Sequence, residues 1–205
     1  MEDDHQSFKV AALAKALSDR VDVHAIVLVE GTSDQAALNA LAIRRGRNLE
    51  AEGISILSIG GATNIGHFLH LLGPRGLDFK LAGLCDAAEE GDFRRGLERA
   101  GLGSNLTRSA MEMLGFYVCD ADLEDELIRS LGVPRVEQVI EAHGELGKLR
   151  TLQRQPAQRG RTEHEQLRRF MGTLSGRKIR YARVLVEALD LTRVPRPLDG
   201  VLAHL

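Results

Sequence analysis

The chain has 205 residues and is 43% apolar, enough to bury a real core in one domain with an appended subdomain, which excludes wholesale disorder. A formal net charge of −2 selects no partner class by itself, but its distribution is uneven. From Leu84 to Glu126 eleven acids face four arginines, and from Gly147 to Arg183 eleven bases face two acids, so near neutrality hides an acidic middle and a basic tail. One reading is two solvated faces that attract each other; the other is a cation site beside a surface for a polyanion.

In chain order, Phe8, Ala11, Ala12, Leu13, Ala16 and Leu17 make an apolar stripe that predicts a helix from His5 to Asp19. Four short apolar runs follow: "HAIVLV" ending at Val29, "ISILSI" at Ile59, "KLAGLC" at Cys85 and "FYVC" at Cys119. Each is continuous rather than alternating, as parallel strands covered on both faces are. Helical patterns lie between them, at Gln35 to Arg45, Ile65 to Leu72 and Phe93 to Ala100. The expected fold is therefore α/β, a Rossmann-like layered fold with a mostly parallel central sheet flanked by helices and right-handed crossovers.

Beyond the fourth run the pattern becomes helical: "LEDELIRSLG" closing on Gly132, "RVEQVIEAHGELGKL" as one further helix, and "TEHEQLRRFMG" with Thr162 and Glu165 at capping-box spacing. A last helix runs from about Lys178 to Leu189 and stops before the prolines of "RVPRPLDG". The segment near 153–161 is the plausible linker. The expected organisation is an N-terminal helix in residues 1–22, an α/β core in 23–132 and a helical C-terminal extension in 133–205.

No apolar run is long enough for a membrane span, and the acidic start "MEDDHQSFKV" is unlike a signal peptide, so a soluble, cytoplasmic protein without membrane partners is expected. Cys85 and Cys119 fit no metal spacing and read as reduced, buried thiols; zinc is disfavoured. His24 and His67 make no ligand spacing, and Met111 and Met113 read as packing residues.

Chemistry is concentrated at the strand exits. In open parallel sheets ligands bind beyond the carboxyl ends of the strands, and three of the four exits here carry carboxylates: Glu30 and Asp34, then Asp86, then the acids of "DADLEDE". Clustered carboxylates repel, and oxygen donors without histidine or thiolate select a hard ion, Mg²⁺ or Mn²⁺. Gly31 allows a sharp turn beside Glu30, and Gly60 and Gly61 allow main-chain N–H groups near a phosphate. Asp34 could equally cap the helix it opens.

These residues match a family. "VLVEGTSD", then "GG" with Asn64 three residues beyond, then Asp86 after an apolar strand, resembles the topoisomerase-primase (TOPRIM) domain. "DADLEDEL", "RKIRYARVLVEAL" and the proline-bearing tail look more narrowly like the C-terminal nuclease half of the overcoming-lysogenization-defect (OLD) family, over about Val23 to Leu205.

The resemblance implies a DNA endonuclease hydrolysing phosphodiester bonds with one or two Mg²⁺ or Mn²⁺ ions. On it, Glu30, Asp34, Asp86 and Glu124 match metal ligands, with Asp120 or Asp122 as further donors, and Glu30 and Lys178 match catalytic residues. The phosphate contacts fall to Gly31, Gly60 and Gly61. Two departures stand out. The family's Asp-x-Asp reads Asp86-Ala87-Ala88 here, so one acid is missing unless Glu89 or Glu90 replaces it. No GxxxxGK[ST] occurs, so any ATP dependence needs a separate ATPase partner. A homodimer is the other protein partner left open.

The competing readings are a nucleotidyl transferase using the same acids, a non-catalytic nucleic-acid-binding module, and a phosphoacceptor receiver domain. The receiver wants adjacent acids after strand one, whereas Glu30 and Asp34 stand four apart. A dinucleotide-binding enzyme lacks its G-x-G-x-x-G.

Overall fold

The computed structural model describes residues 22–205. The helix expected at His5 to Asp19 lies outside them. Four strands, β1 (Ala25–Val29), β2 (Ile54–Ser58), β3 (Lys80–Cys85) and β4 (Phe116–Val118), form one fully parallel sheet in the order β2-β1-β3-β4. β1 is central and buried along its whole length, which is why its run is apolar at every position.

Because side chains alternate along a strand, β1 divides the core. Ala25, Val27 and Val29 point to one face, with Leu38 and Leu41 of α1 (Thr32–Arg44); Ile26 and Leu28 point to the other, with Phe68 and Leu69 of α2 (Ile65–Leu72) and Phe93 and Leu97 of α3 (Glu90–Arg99). The connection from β1 to β2 uses α1 on one face, and the next crosses over β1 to reach β3 using α2 on the opposite face. The winding therefore reverses between β1 and β3, and a crevice opens at their carboxyl ends.

After α4 (Arg108–Met113) and β4 the chain is helical: α5 (Leu123–Leu131), α6 (Val133–Ala142), α7 (Leu146–Gln153), α8 (Glu163–Met171), α9 (Ser175–Ala188) and α10 (Arg196–His204). These helices share the core with the sheet. Tyr181, Leu185, Leu198 and Val201 belong to the same buried cluster as Val27 and Leu84. Arg44 of α1 caps the end of α9, donating to the carbonyls of Val186 (2.8 Å) and Leu189 (2.7 Å).

Several expectations are corrected. The stretch 135–149 is two helices, α6 and α7, because Gly144 adopts φ +70° and ends the first. The prolines after α9 open a helix as well as ending one, since Pro197 sits in the first turn of α10, where a missing N–H costs nothing. The loose segment contains a short 3₁₀ turn, Pro156–Gln158, whose Gln158 is buried. Met111 packs in the core, but Met113 is 76% exposed. Cys85 and Cys119 are free, buried thiols, and His24 and His67 lie on the surface. No helix among the described residues is long and apolar enough to cross a membrane.

Candidate metal centre

The register Val29↔Leu84 and Cys85↔Val118 brings the exits of β1, β3 and β4 to one edge of the sheet. Glu30 leaves β1 into a loop whose backbone is held from two sides. Its carbonyl accepts from Ser58 Oγ (3.3 Å) and from the N–H of Gly61 (3.3 Å). Gly60 and Gly61 take φ of +71° and +116°, which favour glycine, and Asn64 Nδ2 clips their turn by donating to the carbonyls of Ile59 (2.9 Å) and Gly60 (3.2 Å).

Carboxylate oxygens of Glu30, Asp86 and Glu89 lie within 4.8 Å of one another, each residue partly buried. Of Glu89 and Glu90, Glu89 is thus the acid that clusters with Glu30 and Asp86: a 3₁₀ turn, Ala87–Glu89, carries it back towards Asp86 while Ala88 faces solvent. Glu90 turns away and pairs with Arg108 at 2.8 Å.

Asp34 and Glu124 lie outside this triad but within its field. Asp34 is buried, and its Oδ2 accepts from the Gly31 N–H at 2.9 Å, bracing the turn that carries Glu30. Asp34 therefore braces the start of α1, as the capping reading expects, and its charge also acts on Asp86. Glu124, in the first turn of α5, is buried and receives the Lys178 ammonium at 3.4 Å on Oε2. Lys178 comes from the first turn of α9, so the helical extension places a cation beside the acids at the sheet's edge.

Asp120 and Asp122 are engaged elsewhere. Asp120 pairs with Arg108 and Arg129, whereas Asp122 caps α5 through the Asp125 N–H (2.8 Å) and pairs with Arg168 (2.6 Å). Of the three glycines expected to meet phosphate, Gly31 and Gly61 have their N–H groups committed within the loop, and Gly60 is exposed.

The electrostatics are those of a carboxylate cluster short of positive charge. Burial, then the charges of Asp34 and Asp122, push Asp86 up to about 8 against the opposing pull of Lys178. Burial, with the neighbouring charges of Glu89 and Asp34, raises Glu30; burial likewise raises Asp34 and Glu124. Burial would lower Lys178, but Glu124, Asp34 and Asp86 outweigh it and raise it, so its ammonium form is secured. Two buried oxygens, Glu89 Oε2 and Glu124 Oε1, have no hydrogen-bond partner. Orphaned carboxylate oxygens in an all-oxygen cluster fit a hard divalent cation.

Residues 23–87 match the family model described as overcoming lysogenization defect protein-like, TOPRIM domain. Over that stretch the chain is similar to an OLD-like TOPRIM domain. TOPRIM domains are metal-dependent nucleic-acid-processing domains. The fold agrees with two solved relatives. The C-terminal region of the Xanthomonas campestris pv. campestris OLD protein, phased with mercury, is 24% identical with a TM-score of 0.66, over 89% of this chain and 94% of that one. The C-terminal region of the Burkholderia pseudomallei OLD protein is 23% identical with a TM-score of 0.63, over 89% and 96%. No curated protein matches the chain.

Sequence reasoning passed over one buried charge centre. The Glu145 carboxylate accepts from Lys148 (3.0 Å), Arg177 (3.1 Å), Arg180 and Tyr181 Oη (3.1 Å). Its signal was present in the i, i+3, i+4 spacing of Arg177, Arg180 and Tyr181 on the helix that carries Lys178. Nothing in sequence named the acid they share.

Proposed function

We propose that this OLD-like TOPRIM domain hydrolyses phosphodiester bonds in DNA with Mg²⁺ or Mn²⁺ held by Glu30, Asp86 and Glu89. The observation that carries the reading is the convergence of those three carboxylates beside Lys178 at the sheet's switch point. When bound, a hard divalent ion supplies Lewis acidity and lowers the pKa of a water molecule.

The chain's own residues supply the geometry. Asp34 fixes the backbone of the Gly31 turn from which Glu30 projects. Glu124 anchors the Lys178 ammonium, which then stabilises negative charge developing on the phosphoryl oxygens. Glu124 Oε1, buried and unpartnered, supports Glu124 as a further ligand, and Asp34, whose charge acts on Glu124, is the other acid available to a second ion. Gly60, exposed in a φ > 0 turn, is the glycine best placed to approach a phosphate closely.

Nucleotidyl transfer by the same acids ranks below hydrolysis, since no further feature of the chain favours it. Supercoiled plasmid incubated with the protein and Mg²⁺ or Mn²⁺ tests the proposal. Nicking that requires the metal and disappears in Glu30→Gln supports it. Metal-dependent DNA binding with no cleavage at any metal concentration makes the protein a binding module instead.

A further inference from the structure

We infer that the DNA backbone enters the metal centre along the cleft between the Asp120–Asp122 loop and helix α8, held there by Arg161 and Arg169. This inference rests on the hydrolase reading and adds where the substrate lies and which residues hold it. The cleft has a volume of about 340 Å³ and opens beside the catalytic cluster, because Glu124 and Lys178 belong to its lining as well.

Its charges fall into two groups. Two of the cations already have an ion-pair partner: Arg168 is paired with Asp122, and Lys178 with Glu124. The remaining acid of the lining, Glu165, is tied into the capping box of α8, accepting from the Thr162 N–H (2.7 Å) and Oγ1 (2.9 Å). Arg161 and Arg169 are exposed, and neither guanidinium forms an ion pair or hydrogen bond among the described residues. The cleft thus keeps two cations at its rim, Arg169 and Arg161, without a direct ion-pair partner among the described residues; the second only feels the charge of Glu165 through space.

Their placement selects the ligand. Arg161 precedes the N-cap Thr162, and Arg169 lies in the last turn of α8, so the two charges are spread along the length of the helix. Two cations spread in this way along one cleft suit a linear polyanion, which can lay successive phosphates along them. The cleft contributes no aromatic side chain to its lining, so contact is with phosphates and without base preference.

Binding is measured by fluorescence polarisation with a fluorescein-labelled oligonucleotide, single-stranded, duplex, and as RNA. The full chain is used, in EDTA and again in Ca²⁺, across a series of salt concentrations. Arg161→Ala with Arg169→Ala is expected to weaken binding roughly tenfold for every sequence tried and to lower the slope of log affinity against log salt by about two, one per lost contact. Arg135→Ala, exposed on α6 away from the cleft, should leave both unchanged; matched circular dichroism and Tm establish that each variant folds.

Unchanged affinity and slope in the double variant, an equal loss in Arg135→Ala, or no binding by the wild type in either condition overturns the inference. Plasmid nicking separates the two proposals. Nicking with unaltered binding in the double variant removes the track and keeps the hydrolase, and cleft-dependent binding without nicking does the reverse.

Discussion

Lys178 Nζ stands 3.4 Å from Glu124 Oε2, joining the helical extension to the acidic cluster beyond the sheet. This pair is where the two halves of the chain meet beside the acids at the sheet's edge, and it assigns different consequences to removing each partner.

Lys178→Met should therefore lower DNA cleavage by roughly 10²–10³-fold while leaving divalent-ion affinity within a few-fold of wild type. Glu124→Gln removes a cluster oxygen and loosens the lysine as well, so it should reduce both. Nicking rates and Mn²⁺ titrations on the two variants check the split; equal loss of ion binding in Lys178→Met would mean that the lysine only organises the cluster.

Glu89 and Glu90 are neighbours in sequence with opposite surroundings, one in the triad and one paired with Arg108. Glu89→Gln should weaken Mn²⁺ binding at least roughly tenfold. Glu90→Gln, which loses a partly exposed ion pair, should leave ion binding unchanged and cost about 1 kcal/mol or less in stability. Isothermal titration and urea melts distinguish them.

The sheet and its acidic exits were legible because parallel strands buried on both faces are continuous apolar runs, and because the residue that ends each run stands at the ligand-binding edge. Glu30 and Asp86 were visible for that reason. Which of Glu89 and Glu90 would cluster with them was not, since only the 3₁₀ turn after Asp86 decides which side chain swings back. The pairing of Asp122 with Arg168, distant in sequence, was not legible either. Helix α10 was hidden because Pro195 and Pro197 signal both an end and a beginning. The helical extension reads as a separate unit in sequence because its partner surface is the sheet itself.

Glu145 links acid stability to that extension. Burial alone would raise it, but hydrogen bonds from Arg177, Lys148 and Tyr181 and the Arg177 charge prevail and hold it down to about 2, below its ordinary 4.5. A depressed folded value makes its contribution fully present above about pH 5 and lost as pH falls from about 4.5 towards 2. Glu145→Gln should cost about 2–4 kcal/mol at neutral pH, because Arg177 is left nearly buried without its counter-charge. The deficit relative to wild type should shrink as pH approaches 2, measured by urea denaturation across that range.

Leu198 of α10 is fully buried in the cluster that covers the sheet. Leu198→Ala should destabilise the whole chain by about 2–5 kcal/mol in a single transition. Early, separate melting of the helical part would instead show that it is only loosely docked.

The central claim is that carboxylates from separate strand exits hold one hard divalent ion in common. Mn²⁺ titration of the wild-type chain and of Asp86→Asn, followed by the paramagnetic signal of the free ion, tests it most directly. Saturable binding that weakens at least roughly tenfold in the variant is the predicted result. No saturable binding by the wild type, or binding that Asp86→Asn leaves untouched, would contradict it.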